Sequence, residues 1–434
     1  MKNKIVVLKI LVSLIILIIS NNRGYTQSQI SSPYTRYGIG YITQRGFGQN
    51  QAMGGLAYGL RSSNHINCSN PASYSSFDTL SFIFEAGLYY RSTFSETVES
   101  SQTNNDMNYN YLSIGFPVTD WWYSSFGLLP FSDVGYNIRT SDTSNTYGFG
   151  TIDNYYKGNG GIKQFYFGNS FLIKKHLSVG FNATYLFGFI EQESILSFED
   201  NTVWSIENSN KVNISDFYFD FGLQYSNNYN DKFDYTFGLV FSNKSNISVT
   251  KNVLDLKLSP YYGSDTIVNL SGEADEIVLP TNFGIGFSIK GEKVLFGADY
   301  STQNWSESTF LGESDNLENS NNFSVGFQYV PNKRSITNYF KRVNYRIGAH
   351  YSNTYLNIPT KDINSEMFGY EQLNDIGISL GFGLPIRYTN SAINIAVKVG
   401  QRGTTDFNLI KENYAIVSLN LSLHDIWFVK RKFD

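Results

Sequence analysis

From Leu80 onward the chain repeats one pattern, with an aromatic or aliphatic residue at every second position and small or polar residues between. Phe283, Ile285, Phe287 and Ile289 alternate with Asn282, Gly284, Gly286 and Ser288, and a longer row runs from Leu177 to Phe189. A period of two describes a strand whose faces meet different environments. Fourteen such runs are read, at approximately 81–95, 107–118, 121–138, 163–174, 176–197, 211–227, 232–248, 277–290, 292–307, 320–331, 343–356, 368–385, 390–401 and 412–428. The gaps between them mostly alternate in length. Long polar gaps (Ser95 to Asp106, Arg139 to Gly161, Asp200 to Asn210, Lys251 to Glu276, Ser308 to Ser320) take turns with short ones such as Thr119-Asp120, Lys175 and Gly291. Short turns at one end and long loops at the other predict an all-β fold, a transmembrane antiparallel barrel of about 14 strands. The gap from Pro331 to Arg342 is long where a short turn is expected, and a short helix is expected there.

An even strand count lets the sheet close, and closure removes the edges whose unpaired groups hydrocarbon cannot satisfy. Fourteen strands enclose more space than side chains fill, since about eight already suffice for a packed interior. Arg36 to Tyr74 is the stretch that reads neither as a strand nor as a leader, and it carries seven glycines between Gly38 and Gly59. Glycine at that density suits tight turns and close backbone packing. The segment is too apolar for disorder and long for a surface loop. It predicts an N-terminal hatch, residues 27–79, inside the lumen of a barrel formed by residues 80–434.

Lys2 and Lys4, an apolar run from Ile5 to Ile19 and small residues at Gly24 and Thr26 predict a secretory signal peptide over residues 1–26. No later run approaches the 18 apolar residues of a membrane helix. Aromatic residues make up 16% of the chain and charged residues only 16%, which would give a soluble protein an unusually sticky surface but suits a lipid-facing one. Without the four basic residues of the leader, 29 basic residues stand against 37 acidic ones. That balance argues against nucleic acid. Cys68 is the sole cysteine, so no intramolecular disulfide is possible and a buried, inert role is expected. The four histidines show no metal-ligand spacing, and no phosphate loop or catalytic set is read, so neither enzyme activity nor a cofactor is expected. Strand parity aims Glu85, Arg91, Asp220, Asp299, Arg346 and Lys398 at the lumen, where pairing with one another or with Arg36, Arg45 or Arg61 of the hatch is expected.

Two local motifs add a resemblance. Ala52-Met53-Gly54-Gly55-Leu56-Ala57, followed by Asn70-Pro71-Ala72, is similar to the N-terminal hatch of the FadL-like long-chain fatty-acid and hydrophobic-compound transporters, which include PorV-like relatives. Leu128-Leu129-Pro130-Phe131-Ser132 is similar to the family's Pro-Phe at a kink of the third strand. Proline donates no ladder hydrogen bond, so Pro130 marks a break in a closed wall. The resemblance implies a monomeric protein of the cell outer membrane that binds a hydrophobic or amphipathic small molecule and releases it laterally beside Pro130 and Phe131. It also implies that the hatch, with Arg36, Gly54, Gly55, Asn70, Pro71 and Ala72, acts as the gate. The loops carry no long apolar helical hairpin of the kind that offers fatty acids their first groove in that family. Outer-membrane lipid is one expected partner, and basic turns suit its anionic headgroups. A second reading is a plugged scaffold that binds protein partners at its loops, as the PorV-like relatives do.

Overall fold

The computed structural model describes residues 31–143, 148, 150–230, 232–312, 317–361, 367–387 and 389–426. The leader at 1–26 lies outside them, as do Trp427 and Phe428, which sequence reading sets at the end of the last strand.

Among its described residues the hatch holds one short strand, β1 (Tyr41–Ile42), one α-helical turn, Gly48–Gln51, where no helix is expected from sequence, and two 3-10 turns, Pro33–Arg36 and Pro71–Ser76. The strands that follow are β2 (Ser81–Glu96), β3 (Ser101–Pro117), β4 (Trp122–Asp142), β5 (Ile152–Lys174), β6 (Leu177–Phe198), β7 (Ser205–Tyr229), β8 (Phe233–Ser242), β9 (Ser245–Ser259), β10 (Gly263–Leu279), β11 (Asn282–Lys290), β12 (Val294–Gln303), β13 (Ser320–Tyr329), β14 (Asn344–Lys361), β15 (Met367–Pro385), β16 (Ala392–Arg402) and β17 (Lys411–Ile426). Each strand from β2 to β8 pairs antiparallel with the next, β8 pairs with β11, and β11 to β17 continue the ring. The ring closes where β17 pairs with β2, from Lys411↔Glu96 to Ile426↔Ser81. The barrel is therefore a closed cylinder of 14 strands, since β1, β9 and β10 stand outside the ring.

The gap from Lys251 to Glu276, read as a loop, is built as the β9–β10 hairpin, which rises from the rim on the outer end of β7 through pairs from Ile214↔Val249 to Ser205↔Leu258. Strands also extend to Asp142 and from Ile152 inside the expected gap from Arg139 to Gly161. These extensions lie beyond the apolar belt, so the regular apolar period of a lipid-facing strand is absent although the ladder continues. The segment from Pro331 to Arg342 forms only a 3-10 turn, Tyr339–Arg342, capped by Asn338 Oδ1 accepting from the Phe340 N–H at 3.0 Å.

Outward residues of the alternating rows form an exposed apolar belt, including Phe217, Phe219 and Phe221 on β7, Phe237, Leu239 and Phe241 on β8, and Ile376, Ile378 and Leu380 on β15. Such a belt is stable only in lipid, and a cell outer-membrane location follows. A bulge lies between Pro130 and Ser132 in β4, and beside it Gly160 and Gly161 of β5 and Gly188 of β6 take positive φ angles of 108°, 147° and 141°.

The hatch fills the end of the lumen nearest the short turns. Met53, Leu56 and Leu60 pack on Leu295, while Phe47, Ile66, Cys68, Tyr74 and Phe77 pack against inward residues of β2 to β5. Backbone approaches are close enough to demand glycine: a Cβ at Gly238 would overlap the Tyr58 carbonyl, and one at Gly348 would overlap the Met53–Gly54 peptide. Gly238→Val is expected to displace the hatch without opening the ladder. Limited proteolysis should then cut near Tyr58 while heat-modifiable gel migration still reports a folded barrel; a hatch that stays resistant would contradict this packing.

Candidate functional site

Three features meet inside the barrel: the polar attachment of the hatch, the wall break beside Pro130, and a cavity between them. Attachment uses inward carboxylates as sockets for hatch N–H groups. Glu85 accepts from the Ile66 N–H at 3.1 Å and contacts His65 Nδ1 at 2.8 Å. Asp299 Oδ2 accepts from the Ala57 and Tyr58 N–H groups at 2.5 and 2.7 Å. Asp220 pairs with Arg45 of the hatch at 2.5 Å, and Lys398 donates to Gln44 Oε1 at 3.4 Å. Arg346 instead binds wall groups, Gln328 at 2.7 Å and Asn394 at 2.6 Å, and Arg91 pairs with Asp106 of β3 at 2.9 Å. Charges inside a plugged lumen are stable when paired in this way, because each pair lies in a medium far less polar than water.

The hatch residues singled out from sequence fall into different roles. Asn70 Oδ1 accepts from the Ala72 N–H at 3.2 Å, its Nδ2 donates to the Tyr58 carbonyl at 2.9 Å, and Pro71 and Ala72 begin a 3-10 turn. Gly54 and Gly55 hold positive φ angles of 72° and 88°, and the Gly54 N–H donates to Ser379 Oγ at 2.8 Å. Arg36 meets no inward carboxylate and lies over the Tyr156 ring at 4.1 Å. Arg61 donates to Ser178, Gln224 and Ser75. Cys68 is buried, and desolvation pushes its thiol up to about 12.

At the wall break, β3 and β4 pair only from Pro117↔Tyr123 to Leu112↔Leu128 and then part. Past that point the hatch takes over the freed edge of β4, with Tyr41↔Asp133 and Ile42↔Ser132 in register and the Thr43 N–H donating to the Phe131 carbonyl at 3.0 Å. Farther along, the Ser32 N–H donates to the Gly135 carbonyl at 2.9 Å. Lys163 of β5 pairs with Asp133 at 2.8 Å and lies 5.8 Å from the Tyr109 ring of β3, spanning the break. Sequence reading missed Lys163, although a lysine interrupting the apolar row of Phe165 and Phe167 is the signal that marks it.

A second polar cluster was also missed. Asp375 accepts from Arg402 at 2.8 Å and from the Tyr414 hydroxyl at 2.6 Å and contacts His350 Nε2 at 3.2 Å, while Glu412 accepts from Ser32 Oγ of the hatch at 2.5 Å. Arg402 and Glu412 sit at the outer ends of β16 and β17, where the sequence looks like ordinary loop-side polarity, while His350 and Asp375 lie within β14 and β15.

A cavity of about 270 Å³ lies between hatch and wall, lined by Tyr41 to Arg45 on one side, by Phe131 at the break, and by inward residues of β7, β8 and β11 to β16. Farther toward the long loops, Tyr34 and Ile39 of the hatch join an apolar cluster with Val134, Ile162, Leu186 and Tyr355. Among the described residues no group of His, Cys, Asp and Glu could hold a metal ion.

This architecture defines a plugged β-barrel of the outer membrane. The chain belongs to the BamG family, whose sequence model matches residues 6–434. A search of curated proteins with the sequence finds no match. Among solved structures the fold is similar to the CymD monoaromatic hydrocarbon channel (TM-score 0.58, 14% identity, 88% of this chain and 98% of that one). It is likewise similar to the Ralstonia pickettii toluene transporter TbuX (TM-score 0.54, 13% identity, 88% and 99%) and to a Pseudomonas aeruginosa FadL homologue (TM-score 0.53, 12% identity, 90% and 99%). The likeness to FadL-like barrels therefore holds at the level of the fold.

Two outcomes follow from the attachment chemistry. Arg45→Ala leaves Asp220 in the lumen without its cation and should cost about 3 kcal/mol, read as a lower unfolding midpoint in denaturant; the double variant Arg45→Ala/Asp220→Asn should recover part of that loss. Because burial disfavours the thiolate, Cys68 should stay unlabelled by a maleimide at pH 8 in the folded barrel and react once the barrel is unfolded.

Proposed function

We propose that this barrel binds a hydrophobic or amphipathic small molecule in the lumen cavity and passes it across the outer membrane, leaving through the wall break beside Pro130 and Phe131. The observation that carries this reading is that cavity and break share residues: Tyr41, Ile42 and Thr43 of the hatch and Phe131 of β4 line the cavity, and the same hatch segment covers the parted edge. Displacing two β1 pairs would join cavity to lipid without moving the rest of the hatch. The hydrocarbon and toluene channels of similar fold support the ligand class. The hatch is then the gate, held by Asp299, Asp220 and Glu85, and the protein acts without cofactor or covalent chemistry. At the opposite rim Lys333 is held below the usual lysine range by desolvation and by the neighbouring Lys290 charge, a repulsion that an anionic lipid headgroup would relieve.

A second reading, a scaffold for protein partners at the loops, is favoured by one observation. Beyond the Ile277 bridge, β10 has no strand on its outer edge among the described residues, and Tyr261 and Tyr262 at the hairpin tip are 71% and 81% exposed. Unpaired edges recruit strands.

Native mass spectrometry of protein taken from its own membrane and never refolded tests both. The transport reading expects one bound small molecule per barrel, absent from Phe131→Trp. An Ile42→Cys/Ser132→Cys tether, oxidised, should slow release of that molecule into vesicles at least tenfold, and reduction should restore it. An empty barrel that retains a protein partner would sink transport in favour of the scaffold.

A further inference from the structure

The inward face of β11 to β14 lines the cavity mainly with polar residues, Tyr355 and Leu356 at the outer part of β14 being apolar. Antiparallel register stacks its residues in rows, Ser301 opposite Asn322 and Asn322 opposite Ser352, then Asp299 opposite Ser324 and Ser324 opposite His350. On this face Asn282 Oδ1, Asn322 Oδ1, Ser324 Oγ and His350 Nδ1 are all buried, and none has a hydrogen-bond partner among the described residues. All four residues line the cavity. Buried polar atoms are rarely left unpaired, so four on one wall point to a partner supplied from outside the chain.

The chemistry of that partner follows from which atoms are free. Asn282 Nδ2 is directed at Ser242 Oγ at 3.4 Å, and its buried carbonyl oxygen is left without a partner among the described residues. His350 Nε2 lies 3.2 Å from an Asp375 oxygen that can only accept, so Nε2 carries the proton and Nδ1 presents a bare lone pair. The two amide oxygens and the imidazole nitrogen can only accept, while the Ser324 hydroxyl can do either, so the wall calls mainly for donors. Most charge is paired, with Arg45 on Asp220, Arg402 on Asp375, Lys398 on Gln44 and Asp299 Oδ2 held by two hatch N–H groups, while Asp299 Oδ1 is a further buried acceptor without a partner among the described residues. Across the cavity the wall is apolar and aromatic, with the Phe131 and Tyr218 rings 6.1 Å apart in an edge arrangement.

Resting on the reading of this cavity as a ligand site, we infer that its ligand has two faces: an uncharged part rich in hydroxyl donors, held against β11–β14, and an apolar part against Phe131 and Tyr218. A plain hydrocarbon would leave every acceptor on the polar wall unpaired. The selecting residues are Asn282, Asn322, Ser324 and His350.

Two probes that share a benzene ring test this, phenyl β-D-glucoside and toluene, titrated by calorimetry into full-length protein in lipid nanodiscs with empty nanodiscs subtracted. The glucoside should bind at least tenfold more tightly. Asn322→Ala/Ser324→Ala should weaken the glucoside at least tenfold and change toluene less than twofold, with heat-modifiable migration showing that the variant is folded. Tyr218→Ala should weaken both probes together. Toluene binding as tightly as the glucoside, or a double variant that holds the glucoside unchanged, would overturn the donor-rich class while leaving the cavity as a ligand site. Binding of neither probe would also overturn it, and the cavity reading falls with it only if filling the space with Phe131→Trp leaves the copurified molecule of the mass spectrum in place.

Discussion

In hydrocarbon every backbone N–H and C=O must find a partner within the protein, and this structure is arranged around that constraint. Closure of β17 on β2 satisfies the ring. Where β3 and β4 part beyond Leu112↔Leu128, the freed edge of β4 is met by hatch backbone at Tyr41, Ile42 and Thr43. The hatch is thus a filler for a wide lumen and also a substitute strand at the parted wall. A single N-terminal segment serving both purposes ties the state of the lumen to the state of the wall.

Hatch and barrel meet through two kinds of contact that respond differently to change. Glycine positions such as Gly238 and Gly348 let backbone lie on backbone, a fit that tolerates no added carbon. Carboxylates such as Asp299 and Glu85 accept hatch N–H groups and give the segment fixed anchor points. Close packing sets the depth of the hatch, and the polar anchors set its register. The apolar cluster around Tyr34 and Ile39 then extends the hatch toward the long loops, leaving the cavity between this cluster and the polar face of β11–β14.

Much of this was legible in the chain. Strands that cross lipid must alternate, and the runs at Phe217 to Phe221 or Ile376 to Leu380 carried that alternation openly. The charged residues Glu85, Asp220 and Asp299 could be placed in the lumen because their parity opposes the aromatic rows. Outside the membrane the same logic fails: between Lys251 and Glu276 the strands β9 and β10 hold no fully buried residue, so nothing there distinguished a strand from a loop. Lys163, Asp375 and Glu412 escaped notice because their meaning depends on neighbours distant in sequence, as when Ser32 reaches Glu412.

The sequence by itself determined the barrel, its strand count, its lipid-facing side and the presence of a glycine-rich hatch, because those follow from periodicity and composition, which are local. Tertiary structure alone decided that β1 pairs with the parted edge of β4, that a cavity remains beside it, and that one wall of that cavity presents unpaired acceptors. Each of these depends on the register between strands and on how deep the hatch sits, which are set by contacts among residues hundreds of positions apart and leave no periodic trace in the chain.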